Sequence, residues 1–122
     1  MHILLTNNSR LAEEAGAKMV SGSFRDVLLA ARDYVYVGHA LITHPLFASA
    51  GMMFSPIRSI LISEEKTKDS IHAEMIANAI SDYDKMISLR GTDEKNRKDY
   101  ERIDEELYRV ALEEHQRFNL GG

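Results

Sequence analysis

Polar side chains that could bind an anion follow the short aliphatic runs of this 122-residue sequence. They supply amide, hydroxyl and imidazole groups beside the backbone N–H groups of expected helix starts, a combination that suits a carboxylate or a phosphate. The candidate ligand-binding residues are Thr6, Asn7, Asn8, Gly22, Ser23, His39, Thr43, His44 and Ser49. Because Asn, Ser and Gly at strand ends also serve as caps and turn residues, a purely structural interpretation stays open.

Histidine is the other source of chemistry. His44 is a candidate general acid or base, because imidazole titrates near neutral pH. No paired nucleophile is identifiable beside it, and a lone histidine at a strand end more often hydrogen-bonds a turn. His39 and His44 make an improbable zinc pair, since side chains five residues apart in an extended strand point to opposite faces.

The His72-Ala73-Glu74 sequence matches half of the zinc deaminase signature, whose other half is Cys-x-x-Cys. The chain contains no cysteine, so this match is coincidental. The same composition excludes disulfides, thiolate nucleophiles and iron–sulfur clusters. We therefore expect no metal and no cofactor.

Charge and hydropathy restrict the partners. The net charge of −4 argues against nucleic-acid binding, which needs an excess of clustered Lys and Arg. No apolar run approaches the roughly 18–20 residues that span a bilayer, and the first residues lack the features of a signal peptide. We expect a cytoplasmic protein that binds no membrane.

Hydrophobic periodicity and turn residues predict the order of the elements. Strands are expected at 3–5, 17–21, 40–42 and 57–63. Helices are expected from Asn8 or Ser9 to Gly16, from the capping motif Ser23-x-x-Asp26 to Gly38, from Asp69 or Ser70 to Gly91, and after a cap at Thr92.

This alternation predicts an α/β three-layer sandwich formed by one domain, residues 1–122. It would contain a small, mostly parallel sheet of about four strands, helices on both faces and two long C-terminal helices. In such sheets ligands bind outside the carboxyl ends of the strands. The polar segments expected together on that rim are Thr6-Asn7-Asn8, Ser21-Gly22-Ser23, Thr43-His44-Pro45 and Ser63-Glu64-Glu65.

Two segments could form a homodimer interface. The apolar Met52-Met53-Phe54 segment would either contact a partner or close the end of the core. The acidic, amphipathic helix expected over 92–120 offers a second surface, and its apolar face is predicted from Tyr100, Ile103, Leu107, Ala111 and Phe118.

Several segments of the first 90 residues resemble the GrdX family, small proteins encoded with the glycine, sarcosine and betaine reductase components of amino-acid-fermenting anaerobes. The segments are Thr6-Asn7-Asn8, Gly22-Ser23, Asp26-Val27-Leu28, Arg32-Asp33, Gly38-His39 and Leu41-Ile42-Thr43-His44-Pro45-Leu46, leading to Pro56 and Ser59. Family members usually continue with Gly-Ser and Pro-Asn elements, where this chain has 47–54 instead. The helix after Gly91 lies outside the resemblance.

The resemblance implies an accessory role beside a reductase, with reductase components as possible partners and no known catalytic residues. Our leading hypothesis is a non-catalytic protein that binds a reductase component or a small anionic metabolite at the rim of the sheet. One alternative is a small enzyme that uses His44 as acid or base on a carboxylate- or phosphate-bearing substrate. Another is a structural homodimer.

Overall fold

The structure is a computed structural model that describes residues 2–121, and side chains as far as Phe118. Its strands are β1 (His2–Thr6), β2 (Ala17–Met19), β3 (His39–Leu41) and β4 (Ser59–Lys66). Its α-helices are α1 (Phe24–Tyr36), α2 (Ile71–Arg90) and α3 (Arg97–Gly121), and short 3-10 helices cover Ser9–Leu11, Ala50–Phe54 and Glu94–Asn96. None of the helices in this described part has the length and apolar character needed to cross a membrane.

The four strands form one mixed sheet in the order β2-β1-β4-β3. β1 runs parallel to β2, whereas β4 runs antiparallel to both β1 and β3. The prediction of a mostly parallel sheet is therefore wrong. The segment between β3 and β4 contains only the 3-10 helix Ala50–Phe54, and it returns the chain so that β4 runs against β3, a pairing that needs no helical crossover.

Helices cover both faces of the sheet, as predicted. Successive residues of a strand point to opposite faces, so Leu5, Ile60 and Ile62 pack with α1 and α2 in one core cluster. Leu4 and Leu61 belong to a second cluster, which α3 closes with Tyr108. The sheet is thus the middle layer of three.

The third helix is rotated relative to its predicted orientation. Ile103, Leu107 and Phe118 of the expected apolar face are 39%, 44% and 81% exposed. Of the α3 side chains up to Phe118, those buried almost completely are Asp104 and Tyr108. The rotation follows from a polar contact with the sheet, described below, that hydrophobic periodicity does not register.

Local signals explain most helix ends. Ser23 and Asp26 form the predicted capping box at the start of α1, and Gly91 ends α2 with a φ of 82°. The expected helix up to Gly16 is only the 3-10 helix Ser9–Leu11, and turns lead from it to Gly16, whose carbonyl accepts a hydrogen bond from Leu4 N at 2.9 Å. Thr92 is not a cap, since the 3-10 helix Glu94–Asn96 begins after Asp93.

The segment Met52-Met53-Phe54 closes the core of its own chain. Met53 is 4% exposed and belongs to the cluster with α1 and α2. The guanidinium of Arg90 lies 4.4 Å from the ring centroid of Phe54, whose carbonyl accepts a hydrogen bond from Asp93 N. Of the two interpretations of this segment, the structure supports core closure.

Candidate functional site

Three of the four predicted polar segments lie at the same edge of the sheet. Strands β1, β2 and β3 share one direction, so the residues that follow them meet at their carboxyl ends. The fourth segment, Ser63-Glu64-Glu65, lies at the opposite edge because β4 runs the other way. The beginning of β4 takes its place, which brings Arg58 and Ser59 to the rim.

Two further candidate residues, His39 and Ser49, have different surroundings. His39 begins β3, pairs in register with Lys66 at the opposite edge, and has its Nδ1 2.8 Å from the carbonyl of Ser63. Ser49 is exposed before the 3-10 helix Ala50–Phe54 and makes no capping hydrogen bond there. The structure therefore places His39 away from the rim, while Ser49 is a solvent-exposed residue of the segment after β3 that does not line the pocket described below.

His72 has a structural contact rather than a place in a metal site. Its Nδ1 accepts a hydrogen bond from the backbone N–H of Leu41 at 3.1 Å, which joins the first turn of α2 to β3. Within residues 2–121, no group of three or more His, Asp or Glu side chains is arranged to hold a metal ion.

Thr6, Asn8 and Ser59 form a buried hydrogen-bond network with Asp104 of α3. The Ser59 hydroxyl donates to Asp104 Oδ2 at 2.6 Å, and Asn8 Nδ2 donates to the same oxygen at 3.0 Å. Thr6 Oγ1 accepts from Asn8 N at 2.9 Å and lies 2.7 Å from Ser59 Oγ. Because the Ser59 hydroxyl donates its hydrogen bond to Asp104, the Thr6 hydroxyl is the donor between Thr6 and Ser59. The series of hydrogen bonds therefore ends at the Asp104 carboxyl group.

Asp104 is the most deeply buried charged residue of α3, at 1% exposure. Burial raises the pKa of its carboxyl, while the hydrogen bonds from Ser59 and Asn8 and the positive charge of Arg58 oppose that rise. Its second oxygen, Oδ1, has no hydrogen-bond partner among the described residues. This carboxyl fixes the orientation of α3, because α3 must present Asp104 rather than Ile103 or Leu107 to the sheet.

The side chain of Asn7 and the backbone N–H of Ser23 also make hydrogen bonds that stabilise the fold. Asn7 Nδ2 donates to the carbonyls of Gly22 at 3.0 Å and Pro56 at 2.8 Å, and Asn7 Oδ1 accepts from Arg58 N at 2.9 Å. Ser23 N donates to Asp26 Oδ2 at 2.8 Å within the capping box of α1. The contacts of these two residues, and those of Thr6 and Asn8, agree with the interpretation that they stabilise the fold rather than bind a ligand.

Arg58 is a buried cation at the rim, with only 6% of its surface exposed. Its Nε donates to the carbonyl of Pro45 at 2.9 Å and its Nη2 to the carbonyl of His44 at 2.6 Å. The guanidinium lies 4.1 Å from the ring centroid of Phe47. Burial lowers the pKa of Arg58 to about 10, partly opposed by the charge of Asp104, so the side chain remains a cation at neutral pH.

A pocket of about 220 Å³ opens beside Arg58, between the segment after β3, the start of β4 and helix α3. Its lining residues are Thr43, His44, Leu46, Phe47, Ala48, Arg58, Ser59, Leu61, Leu107, Tyr108 and Ala111. Thr43 and His44 are the sequence candidates that reach it. Most of the wall is apolar, with the polar groups at the rim of the sheet, which is the usual composition of a small-molecule site.

Thr43 and His44, the two predicted residues in this pocket, differ in the hydrogen bonds that their side chains already make. Thr43 Oγ1 accepts a hydrogen bond from Leu61 N at 3.1 Å, so its hydroxyl proton is still available. The exposed His44 side chain accepts a hydrogen bond at Nδ1 from Leu46 N at 3.0 Å. His44 therefore makes the turn contact that was the alternative to a role in catalysis.

Sequence reasoning missed Arg58, although a signal was present. Arg58 lies in the strongest β-strand pattern of the chain, between Ile57 and Ser59 and close to a run of Ile and Leu. A cation in a segment expected to be buried must find polar partners or a ligand. The burial of Asp104 was harder to predict from the sequence. Its neighbours on α3 are mostly polar, which is the pattern expected for an exposed acidic residue.

A larger cavity, of about 560 Å³, lies at the opposite edge of the sheet beside His2, Lys18, Glu64 and His115. The rings of His2 and His115 meet edge to face with centroids 6.3 Å apart. Burial lowers the pKa of His115, and the neighbouring charge of His2 lowers it further. Among the described residues, none in the wall of this cavity is a buried cation, and we prefer the smaller pocket because Arg58 supplies one.

The comparisons with known proteins agree with the sequence resemblance. The family model described as GrdX-like protein matches residues 3–113, which extends beyond residue 90 and includes most of α3. No curated protein and no solved structure matches the chain. Because the match covers far more than half of the sequence, the chain belongs to the GrdX-like protein family.

Proposed function

We propose that this protein is a non-catalytic accessory component of a glycine, sarcosine or betaine reductase system, and that it acts by binding a small anion in the pocket beside Arg58. The family supports the reductase context. The observation that carries the binding role is the buried guanidinium of Arg58 in the wall of a pocket, where its hydrogen bonds to the described residues go to neutral carbonyls.

A buried cation is costly unless it is compensated by polar or charged partners. None of the ion pairs formed by the described side chains includes Arg58. The carbonyls of His44 and Pro45 and the nearby charge of Asp104 compensate part of the cost, and an anion in the pocket would add to that compensation. The pocket also lies between two separate parts of the chain, so a bound anion would join the segment after β3 to α3.

The reductase context is tested by co-purification of the tagged protein from a glycine-fermenting anaerobe, with mass spectrometry of bound proteins and small molecules. We expect the wild type to recover reductase components and a small anion, and Arg58→Gln to lose the anion. Arg25→Gln is the matched control, because Arg25 pairs with Asp84 on the exposed surface of α1 and α2. Circular dichroism of each variant checks that it is folded.

Recovery of no reductase component by the wild type would contradict the accessory role. Equal recovery of the anion by Arg58→Gln and the wild type would contradict the binding site.

A further inference from the structure

The guanidinium of Arg58 uses only one of its two bidentate edges. Nε and Nη2 are engaged side by side, on the carbonyls of Pro45 and His44. A guanidinium carries five N–H donors in one plane, so three remain, two on Nη1 and one on Nη2. These three have no acceptor among the residues that the structure describes. The Nη1–Nη2 edge is therefore free to donate two parallel hydrogen bonds.

Two parallel donors match the two oxygens of one carboxylate, and this pairing adds geometric specificity to the attraction of charge. The other side-chain donors of the pocket wall are the hydroxyl of Thr43, which already accepts from Leu61 N, and Nε2 of His44, whose Nδ1 accepts from Leu46 N. The hydroxyl of Ser59 is not available because it donates to Asp104. The side chains of the pocket wall thus present one guanidinium edge, one hydroxyl and one imidazole N–H, and the two parallel donors of the guanidinium edge suit the two oxygens of a singly charged carboxylate.

The rest of the wall selects the body of the ligand. Leu61, Leu107 and Tyr108 line the pocket on the side of α3, and the ring of Phe47 covers the guanidinium. The pocket volume of about 220 Å³ is below the roughly 300–1,000 Å³ of sites for drug-sized molecules. Only a small molecule fits, and the part of it beyond the anionic group meets apolar carbon.

We propose that the pocket binds a small monocarboxylate with a short aliphatic body, with the carboxylate on the Nη1–Nη2 edge of Arg58 and the body against α3. The inference rests on the proposed function and specifies its ligand class. Arg58 is the specificity-determining residue, and Thr43 supplies an additional hydrogen bond.

The test is isothermal titration calorimetry of the full chain with three probes of similar size, namely butyrate, butyramide and inorganic phosphate. We expect butyrate to bind at least about tenfold more tightly than butyramide, because the charge-assisted bidentate pair is lost in the amide. We also expect it to bind more tightly than phosphate. Binding that is equal for butyrate and butyramide would overturn the proposal, as would no butyrate binding up to about 10 mM.

Variants on the exposed part of α3 avoid damage to the fold. Leu107→Glu places a carboxylate at the pocket wall from a side chain that is 44% exposed, whereas Val110→Glu makes the same change at 56% exposure outside the wall. We expect Leu107→Glu to weaken butyrate binding at least about tenfold through repulsion and lost apolar contact, and Val110→Glu to leave it unchanged. Equal affinities of the two variants would overturn the site.

The failure of this inference is distinguishable from the failure of the proposed function. Binding of phosphate without butyrate would overturn the carboxylate assignment and leave an anion-binding accessory protein. Recovery of reductase components in co-purification does not depend on the butyrate titration, and its loss would contradict the proposed function alone.

Discussion

Replacement of Asp104 tests whether a buried hydrogen-bond network fixes α3 on the sheet. In Asp104→Ala, the Ser59 hydroxyl and the Asn8 amide both lose the oxygen to which they donate, at 2.6 and 3.0 Å. Each buried donor without an acceptor costs about 1–3 kcal/mol. Removal of a desolvated carboxyl returns part of that cost, so we expect a loss of about 2–5 kcal/mol in the free energy of unfolding.

Asp104→Asn gives the matched comparison. Its side-chain oxygen can take the place of Oδ2 and accept from both donors, and its NH₂ takes the place of Oδ1, which has no partner among the described residues. The NH₂ is a buried donor without an acceptor there, so we expect a loss of about 1–3 kcal/mol, smaller than that of Asp104→Ala because Ser59 and Asn8 keep their acceptor. Glu106→Ala, an exposed position on α3, is the control and should change stability by less than about 0.5 kcal/mol.

The assay is urea unfolding at pH 7, followed by far-ultraviolet circular dichroism, with the free energy taken from the midpoint and slope. A further variant, Ser59→Ala, should cost less in the Asp104→Ala background than alone, since the hydroxyl already lacks its acceptor there. Equal losses for Asp104→Ala and Asp104→Asn would refute the reasoning, because the orientation of α3 would then not depend on the hydrogen bonds that Asp104 accepts.

Two further predictions concern pH and the first helix cap. The raised pKa of Asp104 means that the folded protein holds this proton more tightly than the unfolded chain does. The stability that this bound proton contributes is fully present below pH 3.8, the ordinary pKa of Asp, and is lost as pH rises through the pKa of Asp104 in the folded protein. We therefore expect the difference in unfolding free energy, wild type minus Asp104→Asn, to fall as pH rises from 3.8. A flat difference in urea unfolding across this range would contradict the assignment. Gly22→Ala should destabilise the protein by about 1–3 kcal/mol, because Gly22 has a φ of 127° and a Cβ there would overlap Asp26 Oδ2 of the capping box. A melting temperature equal to the wild type would show that this capping box has little effect on stability.

Local chemistry in the sequence was sufficient to predict several elements. The Ser23-x-x-Asp26 motif formed its capping box, and Gly91 ended α2. The aliphatic run of β4 became a strand buried on both faces. These predictions are correct because each depends on residues close together in the chain, where spacing alone determines which groups meet.

The candidate site was predicted only in part. Thr43 and His44 were placed at the rim because turn residues follow their strand, and the structure brings both to the pocket. Arg58 and Ser59 were not predicted, because β4 was taken as parallel to its neighbours, which would put its other end at the rim. Strand direction depends on how the chain returns between β3 and β4, and residue types along β4 do not encode it.

The sequence by itself therefore determined the membership of the GrdX-like family, the α/β class, the positions of the long helices and the absence of cysteine chemistry. Only the tertiary structure decided which polar residues are buried and what they contact. Asp104 and Ser59 are 45 residues apart in the chain, and their hydrogen bond exists only because α3 covers one face of the sheet. Likewise, the sequence shows Arg58 only as a charged residue beside a β-strand pattern. The packing of the fold buries it in the wall of a pocket, because burial and contact partners depend on the tertiary structure.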